Sequence, residues 1–231
     1  MLVVLLTAGL LMQTPNIPRT ADGKPNLSGI WKAPAGKGAV VSSEIPYQPW
    51  AAAKQKENYA KRQTADPLAQ CFMPGVPRIM YLEYPYQIFQ TPGYMAITFE
   101  WSNVFRLIYT NGKPGPKGID FWMGDSRGRW EGDTLVVDVS SHNDKTWFDT
   151  SGNFHSDKLH VTERYTMLNA DTIQYEVTIE DPAVFTKPWK FSVPLARQKG
   201  MSRLLEYQCQ AEAEEANGLF ERDPKTWYPK K

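Results

Sequence analysis

Apolar and polar positions alternate along much of the chain between residues 86 and 195. The alternation is strict over Thr172–Glu180. Ile173, Tyr175, Val177 and Ile179 share one face, and Thr172, Gln174, Glu176, Thr178 and Glu180 share the other. A period of two is that of a half-buried strand. Trp189, Phe191, Val193 and Leu195 continue it over Pro188–Leu195, Leu135, Val137 and Val139 over Thr134–Ser140, and Leu159, Val161 and Tyr165 over Lys158–Met167. Tyr86–Thr91 and Tyr94–Trp101 flank the turn pair Pro92-Gly93 and read as a hairpin. Val104–Thr110 follows as a third strand, and Leu204–Gln210 reads as the last. The one convincing helix is Trp50–Gln63, which is Ala-rich, charged and free of Gly and Pro. The polar tail has room for a short helix before Gly218.

About nine mostly sequential strands with no βαβ rhythm predict an all-β fold. The expected form is an antiparallel, up-and-down, lipocalin-like barrel of about 8–9 strands with one short helix. Closure removes exposed edges, and a barrel of about eight strands can hold one small ligand. Gly29-x-Trp31 on the first strand is similar to the start of lipocalin-like barrels, where the Trp closes one end. The expected organisation is a signal segment over 1–14, a single barrel domain over 15–210 and a polar tail over 211–231.

Two charges break the pattern. Glu163 falls on the apolar face with Leu159, Val161 and Tyr165, and Arg106 shares a face with Val104 and Ile108. A buried carboxylate must find a partner or take a proton, and Glu163 with Arg106 is the simplest pairing. Such a pair is either a salt bridge that fixes strand register or the polar pole of a ligand cavity.

Composition narrows the function. The 26 basic and 25 acidic residues leave a formal charge of +1, which gives no electrostatic case for nucleic acid. Aromatic residues reach 13%, enough to line a core or a cavity with rings. Met1–Met12 is apolar and uncharged. It is too short to span a bilayer and matches a secretory h-region in length. The expected location is therefore periplasmic or secreted, with no stable membrane span. Cys71 and Cys209 suit an oxidising compartment, either bridged to each other or as two separate thiols.

Gly124-Asp125-Ser126-Arg127-Gly128 has the letters of a hydrolase elbow. The elbow needs strand, sharp turn and helix, whereas this stretch reads as a turn feeding the barrel. His142, His155 and His160 lack compact metal-ligand spacing, so no metal is assigned. No phosphate loop or dinucleotide fingerprint calls for a cofactor. The segment Ser141–Asp157 is long for a hairpin connection, which marks either a functional rim or an Ω-like loop packed by its own aromatics.

Several stretches together resemble a broad group of secreted bacterial proteins of unassigned activity: CFMPGVPRIM (71–80), FRLIYTNGK (105–113), GRWEGDTLVVDV (128–139), HSDKLHVTERY (155–165), TIEDP (178–182) and TKPW (186–189). That resemblance implies export and a lipocalin-like, calycin-type barrel, and supplies no catalytic assignment.

The expected function is binding of a small apolar or aromatic molecule, with cofactor-independent acid–base chemistry upon it. His155 would move the proton, oriented by Asp149. Glu163 and Arg106 would polarise or anchor a carbonyl, hydroxyl or carboxylate. Trp147 and Tyr109 would meet the apolar body, with His160 as a further contact. The alternatives are a non-catalytic carrier of the same architecture and an envelope protein with a filled core.

Overall fold

The computed structural model describes residues 16–34 and 44–218; the expected signal segment (1–14) and the end of the tail lie outside them. Nine strands close into a barrel in sequence order: β1 Gly29–Lys32, β2 Tyr86–Thr91, β3 Tyr94–Phe99, β4 Phe105–Tyr109, β5 Asp125–Glu131, β6 Thr134–Ser140, β7 His160–Asn169, β8 Thr172–Glu180 and β9 Trp189–Arg197. The architecture is the closed, mostly antiparallel barrel of sequential strands that the alternation predicts.

An odd number of strands cannot alternate direction all the way round a closed ring, so one neighbouring pair must run parallel. Here it is β4 with β5. The chain from 110 to 124 therefore returns to the end at which β4 began. This seam is short, with only Ile108↔Ser126 and Tyr109↔Arg127 in register. By contrast, β7 and β8 are paired from His160↔Glu180 to Asn169↔Thr172.

Two expectations need correction. The stretch read as a turn, Gly124–Gly128, is mostly strand β5, with Ser126 buried on its inner face. The signal was weak because Asp125, Arg127, Arg129 and Glu131 alternate with Ser126, Gly128 and Trp130, so only one inward position is a large apolar residue. Gly128 is small for a reason: a Cβ there would lie 2.9 Å from Ile108 Cγ2. Leu204–Gln210 is not a strand. It makes one isolated bridge, Trp101↔Tyr207, because β1 already pairs with β9 and leaves no edge for a tenth strand.

The main helix, α1 (Pro49–Ala60), starts on a proline whose fixed φ suits the first turn. It is followed by the four-residue α2 (Arg62–Ala65), and α3 (Cys209–Ala216) occupies the start of the tail. Helix α1 lies on the 141–159 loop, where Gln55 Nε2 donates to Ser151 O at 2.6 Å and Asn58 Nδ2 to Gly152 O at 3.2 Å. Cys71 and Cys209 form a disulfide that ties α3 to the segment before β2. No helix among the described residues is long and apolar enough to cross a membrane.

The barrel ends differ. At one, Trp31 is fully buried, its Nε1 donates to Leu27 O at 2.8 Å, and the Arg197 guanidinium lies 4.1 Å over its ring. Arg197 also donates to Ser28 O and Ala170 O, which satisfies loop carbonyls there. The other end is capped by the 141–159 loop, the turn after β8 and the segment leading to Tyr81. Phe148, Leu159, Val184, Phe185 and Tyr81 are all buried in this cap.

Candidate functional site: a polar pole inside the barrel

Arg106 and Glu163 meet in the barrel interior, with side chains 2% and 0% exposed. Arg106 Nη1 donates to Glu163 Oε1 at 3.0 Å, and Nη2 donates to Oε2. Arg106 Nε and Nη2 also donate to Ser126 Oγ on β5 at 3.0 and 2.9 Å. Glu163 Oε1 accepts from the hydroxyls of Tyr165 at 3.1 Å and Tyr175 at 2.5 Å. Strand alternation puts all these groups on inward positions of β4, β5, β7 and β8.

The charges fix the protonation pattern. Burial works to lower the Arg106 guanidinium, but the charge of Glu163 and its hydrogen bonds outweigh it, and the net shift is upward. Burial, followed by the charge of Glu163, raises Tyr86, Tyr165 and Tyr175 well above the usual phenol range. Tyr165 and Tyr175 therefore stay protonated and donate.

Tyr86 faces inward on β2 and is fully buried. It feels the charges of both Glu163 and Arg106, yet its hydroxyl has no hydrogen-bond partner among the described residues. The same holds for Trp189 Nε1 and for both ring nitrogens of His142. Buried polar atoms without partners are uncommon in folded proteins. Trp189 stacks edge-on against Phe148 at 5.7 Å, and the His142 ring lies 5.9 Å from that of His155. Both belong to the capped end.

His155 is buried in the loop cap, but Asp149 is not its partner. His155 Nδ1 lies 2.9 Å from Ser156 O and Nε2 lies 2.7 Å from Thr146 Oγ1. A carbonyl only accepts, so Nδ1 carries the proton and Nε2 accepts from the threonine hydroxyl. Burial lowers the pKa of His155, and lowers that of His142 to about 3, with His155 and Arg106 adding to the latter shift. Asp149 accepts from Asn153 Nδ2 at 2.7 Å and Ser151 N at 2.8 Å, and so shapes its own turn. Burial raises its carboxyl against those hydrogen bonds.

Of the residues singled out in the sequence, the structure joins Arg106 with Glu163 and keeps the others apart. Tyr109 is on the outer face of β4, with the Arg127 guanidinium 4.5 Å over its ring. His160 is on the outer face of β7, its Nε2 3.7 Å from Asp138 Oδ1. Trp147 is half-buried in the loop, where it bridges to Phe154. Among the described residues no group of three or more His, Cys, Asp or Glu is placed to hold a metal ion.

Sequence reasoning missed the roles of Ser126, Tyr86, Tyr165 and Tyr175. The tyrosines are legible as inward positions of alternating strands, and a buried tyrosine hydroxyl usually needs a partner. Also missed was a second buried ion pair, Arg78 with Asp66, joined by two hydrogen bonds of 2.7 and 2.8 Å. Outside the parallel seam lies a cleft of about 490 Å³ lined by Phe105, Tyr109, Phe121 and Trp122, among others. Arg106 and Ser126 also border this cleft, although both are buried and their side chains are hydrogen-bonded to each other.

No protein-family model matches the chain, and no curated protein matches it. Among solved structures, the crystal structure of a mutant of the fluorescent protein UnaG is similar over 75% of this chain and 96% of that one, at 12% identity and a TM-score of 0.35. A likeness this distant has no bearing on function.

Proposed function

We propose that this protein binds a small, largely apolar or aromatic molecule inside the barrel, between the polar pole and the loop cap. The observation that carries this reading is the Tyr86 hydroxyl, which is fully buried, turned to the lumen beside Arg106 and Glu163, and unpartnered among the described residues. A purely structural ion pair would need Ser126, Tyr165 and Tyr175 and would gain nothing from Tyr86. A guest with a hydroxyl or carbonyl group gives Tyr86 its partner, and the rings at the capped end supply the apolar contact.

Acid–base catalysis is the less favoured reading. Both ring nitrogens of His155 are taken by Thr146 and Ser156, and Asp149 serves its own turn. Neither group is placed to act on a guest held at Glu163. Export to the periplasm or the exterior is part of the proposal, and the Cys71–Cys209 disulfide supports it.

The test is Tyr86→Phe, assayed with the fluorescent probe N-phenyl-1-naphthylamine and with guests carrying a hydroxyl or carbonyl group that displace it. The variant should keep the wild-type melting temperature and lose about tenfold or more in affinity for those guests, as expected when a buried polar group of the guest loses its partner. Unchanged affinity in the variant contradicts the assignment.

A further inference from the structure

We infer that the molecule bound at this pole is electrically neutral, and that Glu163 makes it so by cancelling Arg106 before any ligand arrives. This inference rests on the binding reading above and adds the ligand class.

The argument is one of charge and valence. Arg106 and Glu163 form a contact pair that sums to zero charge, sealed from water. All three guanidinium nitrogens are already used: Nε on Ser126, Nη1 on Glu163 and Tyr165, and Nη2 on Ser126 and Glu163. A carboxylate or sulfonate entering here would place a second anion beside Glu163 with no cation of its own, in a medium that screens poorly. An ammonium would meet Arg106 in the same way.

The other titratable groups at this end offer no compensation. His142 and His155 are held neutral by burial. Arg78 is closed onto Asp66 by two hydrogen bonds, Asp149 is occupied by Asn153 and the Ser151 N–H, and the buried Asp181 carboxylate is occupied by Ser156 N, Ser156 Oγ and Ala183 N. Among the described residues, the buried side-chain polar atoms without a partner are Tyr86 Oη, Trp189 Nε1, Arg78 Nε and the His142 nitrogens. Of these, only Arg78 Nε belongs to a charged group, and that charge is already neutralised by Asp66. The pole can therefore recognise a hydroxyl or a carbonyl, and it rejects a fatty-acid or sulfonate head.

Two fluorophores with the same ring system test this. N-phenyl-1-naphthylamine is neutral, and 8-anilino-1-naphthalenesulfonate carries one negative charge. The wild-type chain should bind the neutral probe about tenfold or more tightly than the anion, because an uncompensated buried charge is costly. Glu163→Gln keeps hydrogen-bonding groups at this position and frees the charge of Arg106. It should raise affinity for the sulfonate about tenfold or more and leave the neutral probe within about threefold. Circular dichroism checks that the variant is folded. The double variant Arg106→Gln/Glu163→Gln has no charge at the pole and should keep the wild-type preference, which holds the test open if the single variant does not fold. Trp122→Ala, in the outer cleft, should change neither affinity.

Equal affinity of the wild type for both probes overturns the inference. So does an unchanged ratio in folded Glu163→Gln, or loss of both probes in Trp122→Ala. If neither probe binds the wild type, the binding reading itself falls and this inference with it.

Discussion

Arg106 on β4 and Glu163 on β7 come from strands with two others between them, and their side chains meet across the lumen. Arg106 also holds Ser126 on β5 through two hydrogen bonds. The seam with fewest ladder partners along β4 is therefore stitched from inside by a guanidinium, and that guanidinium is anchored to the far wall by a carboxylate. Closure of the odd-stranded ring and burial of the ion pair are one arrangement.

Breaking the pair by one partner should be costly. Glu163→Ala leaves Arg106 buried and unpaired and is expected to lower unfolding free energy by about 3–5 kcal/mol. The double change Arg106→Met/Glu163→Leu removes both charges and should cost much less. Urea denaturation of the two variants measures the difference, and equal losses would show that the ionic contact is not the source of the stability.

The pH dependence should carry the mark of His142. Its folded pKa is lowered to about 3 from 6.5, first by burial. Below about 6.5 the unfolded chain takes up the proton and the folded chain does not. Stability is thus fully present above 6.5 and is lost as pH falls toward 3, at up to about 1.4 kcal/mol per pH unit. The buried carboxyl of Asp149, which is raised, contributes the opposite slope. The difference between wild type and His142→Gln isolates the histidine: the variant should show a flatter fall in melting temperature between pH 6.5 and 5. Parallel curves would contradict a buried neutral His142.

The disulfide spans a sequence separation of 138 residues, so its loss should release a large loop in the unfolded chain. Cys71→Ser/Cys209→Ser is expected to cost about 2–5 kcal/mol with the barrel retained. Equilibrium denaturation gives the size, and near-ultraviolet circular dichroism reports whether the tyrosines and tryptophans stay packed.

At the other end, Arg197 joins three pieces of the closure: the Trp31 ring, Ser28 O and Ala170 O. Arg197→Ala should destabilise by about 1–3 kcal/mol, since it leaves loop carbonyls unpaired and uncovers one face of the ring. It should not change probe affinity at the polar pole. A selective loss of probe binding would move the site to this end.

The barrel was legible because β6 to β9 carry apolar residues at nearly every second position and the Pro92-Gly93 turn pair marks the β2–β3 hairpin, and Glu163 and Arg106 were legible because each falls on the apolar face of its strand. Strand β5 was obscured because its inward residues are Ser126, Gly128 and Trp130: the first accepts from Arg106 and the second makes room for Ile108. The histidine loop misled for a different reason. His155 and Asp149 are close in sequence, but each is satisfied by its own turn, through Ser156 O and Thr146 in one case and Ser151 and Asn153 in the other. Strand period fixes which way a side chain points, whereas no such rule orients residues in a seventeen-residue loop (141–157). Tyr86 was hidden for lack of a charge of its own, since an inward tyrosine in a strand reads as core.

The most direct measurement is native mass spectrometry of the purified full chain beside its Tyr86→Phe variant. The expected result is an organic adduct of one neutral molecule per chain in the wild type, with lower occupancy in the variant. A bare chain in both, or equal occupancy in both, would contradict a ligand held at Tyr86.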